Sequence, residues 1–271
     1  MAKRQLVTLL TDFSTRDPYV AAMKGVLLRH CPRAEIIDIT HEIAPQDVLS
    51  AAFVLAEATR SFPDGTLHVV VVDPGVGTDR RILAGDIGGQ RFLCPDNGVI
   101  TFVAESREQR ELVVVSNSRY VPAATSRTFH GRDIFAPVAA HILNGVDLAR
   151  LGPRPKAFTM LDVPRPVVAG EVLAGQIVYV DRFGNLVSNI PIAAVEPWCA
   201  ALDAVRVSCD GREVGALQGT YDFVERGAAL ALVNSMGLIE VAVNGGSAAA
   251  VLDAGVGATV RLRREARGAE A

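Results

Sequence analysis

The sequence predicts an α/β N-terminal domain with a mainly parallel sheet, followed by a smaller all-β, barrel-like C-terminal domain. Three observations predict it. Between Leu6 and Val72, apolar strand-like runs alternate with helical spacing. Beyond residue 169 the texture changes to short β-rich runs punctuated by glycine. Between the two, Gly152-Pro-Arg-Pro-Lys and Pro164-Arg-Pro interrupt regular structure. The expected boundaries are 1–155 for the α/β domain, 156–168 for a Pro-rich linker, 169–265 for the β domain and 266–271 for a polar tail.

Leu6 to Leu10 reads as a strand buried on both faces, and Thr11-Asp12-Phe13 leaves it into a polar turn. Pro18 suits a first helical turn, and Val20, Met23, Val26 and Leu27 repeat at helical spacing up to Cys31-Pro32. Glu35 to Ile39 is the second strand; Val48, Ala51, Ala52 and Leu55 mark a second helix; Leu67 to Val72 is the third strand. In a doubly wound sheet ligands bind at the carboxyl ends of strands, where Asp12 and Asp73 stand. From Ile82 the strands shorten, Arg91 to Cys94 and Leu112 to Val115 being clearest, before a helix from about Ile134 to Leu143. Gly175 to Val180, Leu186 to Ile190, Ala204 to Cys209, Ala228 to Val233, Leu238 to Val243 and Ala258 to Leu262 are the strands of the second domain.

Composition narrows the function. The 271 residues are 49% hydrophobic and 21% charged, enough apolar material for one large core or two modest ones. A formal charge of -3 and the lack of a basic, aromatic-interleaved stripe argue against nucleic acid. Cysteines at 31, 94, 199 and 209 are too scattered for a zinc pattern and too few for a disulfide scaffold, so they read as reduced thiols of a cytoplasmic protein. The basic start Met1-Ala-Lys-Arg leads into an apolar run of only five residues, a first strand rather than a signal peptide, and no run approaches the ~20 residues of a membrane helix. The five histidines share no ligand spacing, so no metal is expected.

Several polar turns follow apolar runs. Val71 to Arg80 (VVDPGVGTDR) runs into a glycine-bearing turn but lacks dinucleotide or P-loop spacing; Asp73 there is either a turn cap or a site residue. Ser126 to Asp133 (SRTFHGRD) gathers His130, two arginines and an acid ahead of a helix; it is either a capping segment or a site. Asp181-Arg-Phe183-Gly-Asn185 is either a plain hairpin turn or a stacking face beside amide and carboxylate groups suited to a purine or ribose. Asp12 could cap a helix or accept from a ribose diol, and Asn234-Ser235-Met236-Gly237 is a further polar turn.

Together, Thr11-Asp12-Phe13, Asp38-Ile-Thr-His41, Val72-Asp73-Pro-Gly-Val-Gly77, Pro95-Asp-Asn-Gly98, Thr128-Phe-His-Gly-Arg-Asp133 and Asp181-Arg-Phe-Gly-Asn185 make the chain resemble the SAM hydroxide adenosyltransferases, the non-halogenating relatives of the SAM-dependent fluorinase and chlorinase. The resemblance implies hydrolysis of S-adenosyl-L-methionine to adenosine and L-methionine, with Asp73, Arg80 and His130 activating water for attack at C5′. It implies Asp12 on the ribose hydroxyls, Phe183 and Asn185 on the adenine side, and Asp181 and Ser235 on the methionine moiety. No cofactor is implied, since SAM is the substrate. A homotrimer with sites between subunits is implied as well. The halogenases carry a tyrosine and a threonine where this chain matches with Asp73 and Val76, and Ser235-Met236 stands where the fluorinase uses Ser-Arg on the methionine carboxylate. Two alternatives stay open: a SAM-dependent halogenase, revealed by chloride dependence, and a non-catalytic SAM- or adenosine-binding protein.

Overall fold

A computed structural model of the chain describes residues 5–108, 110–122, 126–199, 202 and 205–264. The predicted polar tail at 266–271, the basic residues before Gln5 and Ala204 at the head of a predicted strand lie outside the described residues. The chain divides into two compact units, Met1–Leu161 and Asp162–Ala271.

The first unit contains β1 (Gln5–Thr11), α1 (Tyr19–His30), β2 (Ala34–Thr40), α2 (Val48–Thr59), β3 (Leu67–Val71), β4 (Ile82–Ile87), β5 (Gln90–Pro95), α3 (Thr101–Glu105), β6 (Arg110–Val114) and α4 (Ala136–Leu143). Its six strands lie in the order β2-β1-β3-β5-β4-β6. The sheet is mixed rather than mainly parallel: β1 runs parallel to β2 and β3, and β3 to β5, but β4 is antiparallel to both β5 and β6. The cause is local. Gly88 and Gly89, at φ 60° and 86°, form the two-residue left-handed turn that matches strand twist and folds β4 directly back on β5.

Alternate residues of β1 and β3 feed two cores, as a strand buried on both faces requires. Val7, Leu9, Val69 and Val71 pack with Met23 and Leu27 of α1 and with α4. Leu10, Val70 and Val72 pack with Ala51, Ala52 and Leu55 of α2 and with α3. The helix after β1 and the helix after β2 thus cover opposite faces, so the chain reverses its winding between β1 and β3. In open α/β sheets the carboxyl ends of strands at such a switch point are where ligands bind. Asp47 caps α2 by accepting the Ser50 N–H at 3.0 Å, and α1 stops where the Cys31 N–H donates to the Leu27 carbonyl.

The second unit contains β7 (Val167–Ala169), β8 (Val172–Val180), β9 (Leu186–Pro191), α5 (Ile192–Val195), β10 (Val205–Cys209), β11 (Arg212–Gln218), β12 (Ala229–Val233), β13 (Leu238–Val243), α6 (Ala248–Leu252) and β14 (Thr259–Arg264). The order is β14-β10-β11-β12-β13-β9-β8-β7, and β14 also pairs with β8, which closes seven strands into a barrel and leaves β7 outside. Alternating residues of these strands fill the interior, among them Ile177, Leu186, Val207, Ile239, Val241 and Val260. β7 begins at Val167, inside the stretch whose prolines predict a linker. The four cysteines are buried and form no disulfide. Among the described residues no helix is long and apolar enough to cross a membrane.

Candidate active site

Because β1 and β3 are parallel neighbours, Asp12 and Asp73 follow adjacent strand ends at the switch point. Asp12 Oδ2 accepts the backbone N–H of Gln46 at 2.8 Å, which ties the β1 turn to the loop before α2. Ser14 and Gln46 both hold left-handed φ, 56° and 66°, a strained conformation for residues with a Cβ and one that recurs at ligand sites. Beneath this turn the Thr11 hydroxyl lies 2.8 Å from His41 Nδ1, and the Ser14 N–H donates to the His41 carbonyl at 2.7 Å.

Asp73, Arg80 and His130 come together although 57 positions separate the first from the last. Asp73 Oδ2 receives both Arg80 Nε at 2.8 Å and Arg80 Nη2 at 2.5 Å, with the carboxylate 5% and the guanidinium side chain 13% exposed. Arg80 Nη2 also lies 2.9 Å from His130 Nδ1. A guanidinium only donates, so Nδ1 must be the acceptor and the ring proton sits on Nε2. Partial burial, then the neighbouring Arg80 charge, lowers the His130 pKa below its ordinary 6.5 and keeps the ring neutral at pH 7. Phe135 supports the guanidinium from below, its ring centre 5.8 Å from Cζ. Asp73 Oδ1 is buried with no hydrogen-bond partner among the described residues.

The local sequence explains why these side chains are held. Gly77 sits at φ +79°, and a Cβ there would lie 2.6 Å from the Arg127 carbonyl oxygen, so the turn after β3 and the loop before His130 pack backbone to backbone. His130 enters a π-helical turn, Gly131–Phe135, that runs into α4. Pro137, in the first turn of α4, has no N–H for the preceding turn and its ring crowds the carbonyl there; widening the turn removes that conflict. Asp133 braces the loop by accepting the Ser126 N–H at 2.7 Å and Arg132 Nε at 2.7 Å. Phe13, Tyr19 and Phe129 pack edge to face or tilted at 5.1–6.1 Å, and Arg132 stacks over Phe129 at 4.8 Å.

In the second unit, a cavity of about 400 Å³ is lined by Asp181, Phe183, Asn185 and Ser235, four residues the sequence singles out, together with Tyr221 and Glu240. Asp181 organises the hairpin: Oδ1 accepts the N–H groups of Phe183 and Asn185, each at 2.8 Å, and Oδ2 accepts Asn185 Nδ2 at 2.9 Å. Gly184, at φ +83°, is obligatory, because a Cβ would fall 2.0 Å from the Ser247 hydroxyl. The turn leaves the Phe183 ring 76% exposed, an apolar face with no cover from its own unit. Asn185, in contrast, is buried.

Sequence reasoning missed Glu240 and Tyr221. Glu240 is 4% exposed; Oε1 accepts the Tyr221 hydroxyl at 2.9 Å and Oε2 accepts Asn234 Nδ2 at 3.2 Å. Burial raises the pKa of both, the Tyr221 phenol to about 12. The available signal was one acid inside the apolar run Leu238-Ile-Glu-Val-Ala-Val243, where burial demands polar partners. Among the described residues no group of three or more His, Cys, Asp or Glu is arranged to hold a metal ion.

Comparison with known proteins places this geometry. Residues 7–152 match the family model for the SAM hydroxide adenosyltransferase N-terminal domain, and residues 175–261 match that for its C-terminal domain. An (R)-S-adenosyl-L-methionine hydrolase of Thermus thermophilus is 37% identical, covering 94% of this chain and 98% of its own. Its counterpart in Salinispora tropica is 38% identical over 97% and 99%. A fluorinase of Nocardia brasiliensis is 28% identical over 96% and 97%. The crystal structure of an uncharacterized conserved protein from Thermotoga maritima superposes with a TM-score of 0.88 at 40% identity, over 95% of this chain and 100% of that one. With both domain models matched in order and relatives aligned along nearly the whole length, this chain belongs to the SAM hydroxide adenosyltransferase family.

Proposed function

We propose that the protein hydrolyses S-adenosyl-L-methionine to adenosine and L-methionine by attack of a water-derived oxygen on C5′. The observation that carries this is the continuous chain Asp73–Arg80–His130, held at hydrogen-bond distance at a strand switch point. Relatives named (R)-S-adenosyl-L-methionine hydrolase along nearly the full length support it.

The sulfonium leaves as a neutral thioether, so the leaving group needs no acid and the protein acts on the nucleophile. Asp73 locks the guanidinium from one side, and Arg80 then holds His130 with its Nε2–H available. The guanidinium, beside Nδ1, is the donor for an oxygen with hydroxide character that forms there. A water proton that moves onto Nδ1 must displace Arg80 from it, so proton transfer and the turning of the guanidinium toward the new hydroxide are one event. Anion and cation then neutralise each other as the C5′–O bond forms and the C5′–S bond breaks. Asp12 takes the ribose hydroxyls, Phe183 and Asn185 the adenine side, and Asp181 and Ser235 the methionine moiety. No cofactor takes part, and the protein works in the cytoplasm as a homotrimer whose sites lie between subunits.

Incubation with SAM in chloride-free, oxygen-18-labelled water tests the reading. Adenosine labelled at its 5′ oxygen, with methionine released, is expected. Bound but unreacted SAM would favour the non-catalytic reading, and a product appearing only when chloride is added would favour the halogenase.

A further inference from the structure

We propose that Asn97 is a positioning residue of the reaction: its side-chain amide, in the turn Pro95–Gly98, fixes the backbone on which Asp73 stands, and through Asp73 it sets the reach of Arg80 to His130. Asp96 of the same turn fixes the other end of the loop. Pro95-Asp-Asn-Gly98 is a motif of the sequence to which the reaction as described gives no part. The inference rests on the reading of Asp73, Arg80 and His130 as the groups that activate water.

Strand order is the first ground. β5 lies between β3 and β4, so the chain that leaves β3 at Val71 and enters β4 at Ile82 has to cross an end of β5. The turn Pro95–Gly98 leaves β5 at that same end, because β3 and β5 are parallel and β4 begins where they finish, with Ile82 paired to Pro95. The turn therefore meets both roots of the loop that carries Asp73 and Arg80. Inside the loop, the Val76 N–H donates to the Asp73 carbonyl at 3.2 Å and the Thr78 N–H to the Gly75 carbonyl at 3.1 Å. Those bonds shape the loop, while its roots decide where the two side chains stand.

The contacts at the two roots are the second ground. Asn97 Nδ2 donates to the Val72 carbonyl at 2.9 Å, one residue before Asp73. Val72 is fully buried and lies past the last residue of β3, so its carbonyl takes a side-chain donor where the strand has ended. The Val99 N–H donates to Asn97 Oδ1 at 3.2 Å, which turns the amide nitrogen toward Val72. At the other root the Asp96 N–H donates to the Arg81 carbonyl at 2.9 Å, one residue after Arg80. Arg81 Nη2 pairs with Asp96 Oδ2 and donates to the Ala157 carbonyl at 2.9 Å, while Arg80 pairs with Asp73. The Asp96 side chain is 2% exposed, and its Oδ1 accepts the Thr159 N–H at 2.7 Å, so the turn is itself braced. The tolerance is small. A displacement of about 0.7 Å carries the 2.9 Å Arg80–His130 contact past hydrogen bonding.

Asn97→Ser in the full chain tests this. Serine keeps an acceptor for the Val99 N–H but is too short to reach Val72, so the turn stays and the bond to Val72 is lost. Turnover of SAM should fall about tenfold while KM stays within about twofold, since the side chains expected to hold SAM lie outside this loop. A general loosening could also lower turnover, so the His130 ring is titrated by NMR, its resonance assigned with His130→Gln. The midpoint should rise toward 6.5 by at least half the rise that Arg80→Ala produces, because the same Arg80 contact is loosened. A midpoint that stays put overturns the proposal. So does turnover within about twofold of the unmodified chain, or a KM raised about tenfold, which would put the effect on binding. If Asn97→Ser does not fold, the unmodified chain decides: the Asn97 side-chain amide should exchange its protons with solvent at least about tenfold more slowly than a free asparagine amide, and exchange at the free rate overturns the proposal. Should the unmodified chain form no adenosine from SAM, the proposed reaction fails, while the His130 titration still tells whether Asn97 positions Arg80.

Discussion

Gly77→Ala tests whether the catalytic chain depends on the backbone contact between its two loops. The added Cβ would stand 2.6 Å from the Arg127 carbonyl oxygen, where ordinary contact begins at 3.4 Å, so the loops must part by roughly 0.8 Å. Arg127 lies three residues before His130, and carrying that displacement to the ring stretches the 2.9 Å Arg80–His130 bond to about 3.7 Å, beyond hydrogen bonding. A bond to a charged donor contributes about 1.5–3 kcal/mol, so turnover should fall roughly ten- to hundredfold. The left-handed φ of +79° adds about 1–2 kcal/mol of strain once a Cβ is present, read as a lower unfolding temperature. Gly145→Ala is the control. It has φ +89° and nothing within 4 Å of the Cβ, so it carries the strain without the collision and should keep wild-type turnover. Adenosine release by chromatography and thermal unfolding measure the two effects. Equal turnover in Gly77→Ala and Gly145→Ala would refute the coupling of these loops to the chemistry.

Titration of His130 should follow its contacts: because burial and Arg80 lower its pKa, the neutral ring persists above that value, and activity should be lost only as pH falls through a point below 6.5. Arg80→Ala should move the His130 resonance back up toward 6.5 by NMR and abolish turnover; an unmoved titration would show that the 2.9 Å contact does not exist in solution. Gly184→Ala places a Cβ 2.0 Å from the Ser247 hydroxyl at φ +83°, and should destabilise the chain by about 2–4 kcal/mol while disordering the Phe183 turn. Unchanged thermal unfolding would show that the turn yields freely.

Periodicity located β1 and β3 as apolar runs because both strands are buried on both faces, and α1 and α2 because a helix packed on one side must repeat its apolar residues; β2 is a half-exposed edge strand, read only from the short run Glu35 to Ile39. Periodicity also put Asp12 and Asp73 at strand ends. The direction of β4 was written in Gly88-Gly89 but not drawn from it, and β11 was hidden because Arg212–Gln218 (REVGALQ) shows no sustained alternation and is interrupted by Gly215 at φ +110°. The roles of Arg80 and His130 were not legible from their own segments, each of which equally describes a surface charge or a solvated imidazole; only the motifs taken together pointed to them. What the sequence by itself determined was the set of strands, helices and polar turns, since these depend on local spacing. The tertiary structure decided that Arg80 donates to both Asp73 and His130, which fixes the ring proton on Nε2. It also decided that Glu240 and Asp181 line one cavity, because hydrogen-bond direction and the sign of a buried field arise only when residues distant in the chain are brought together.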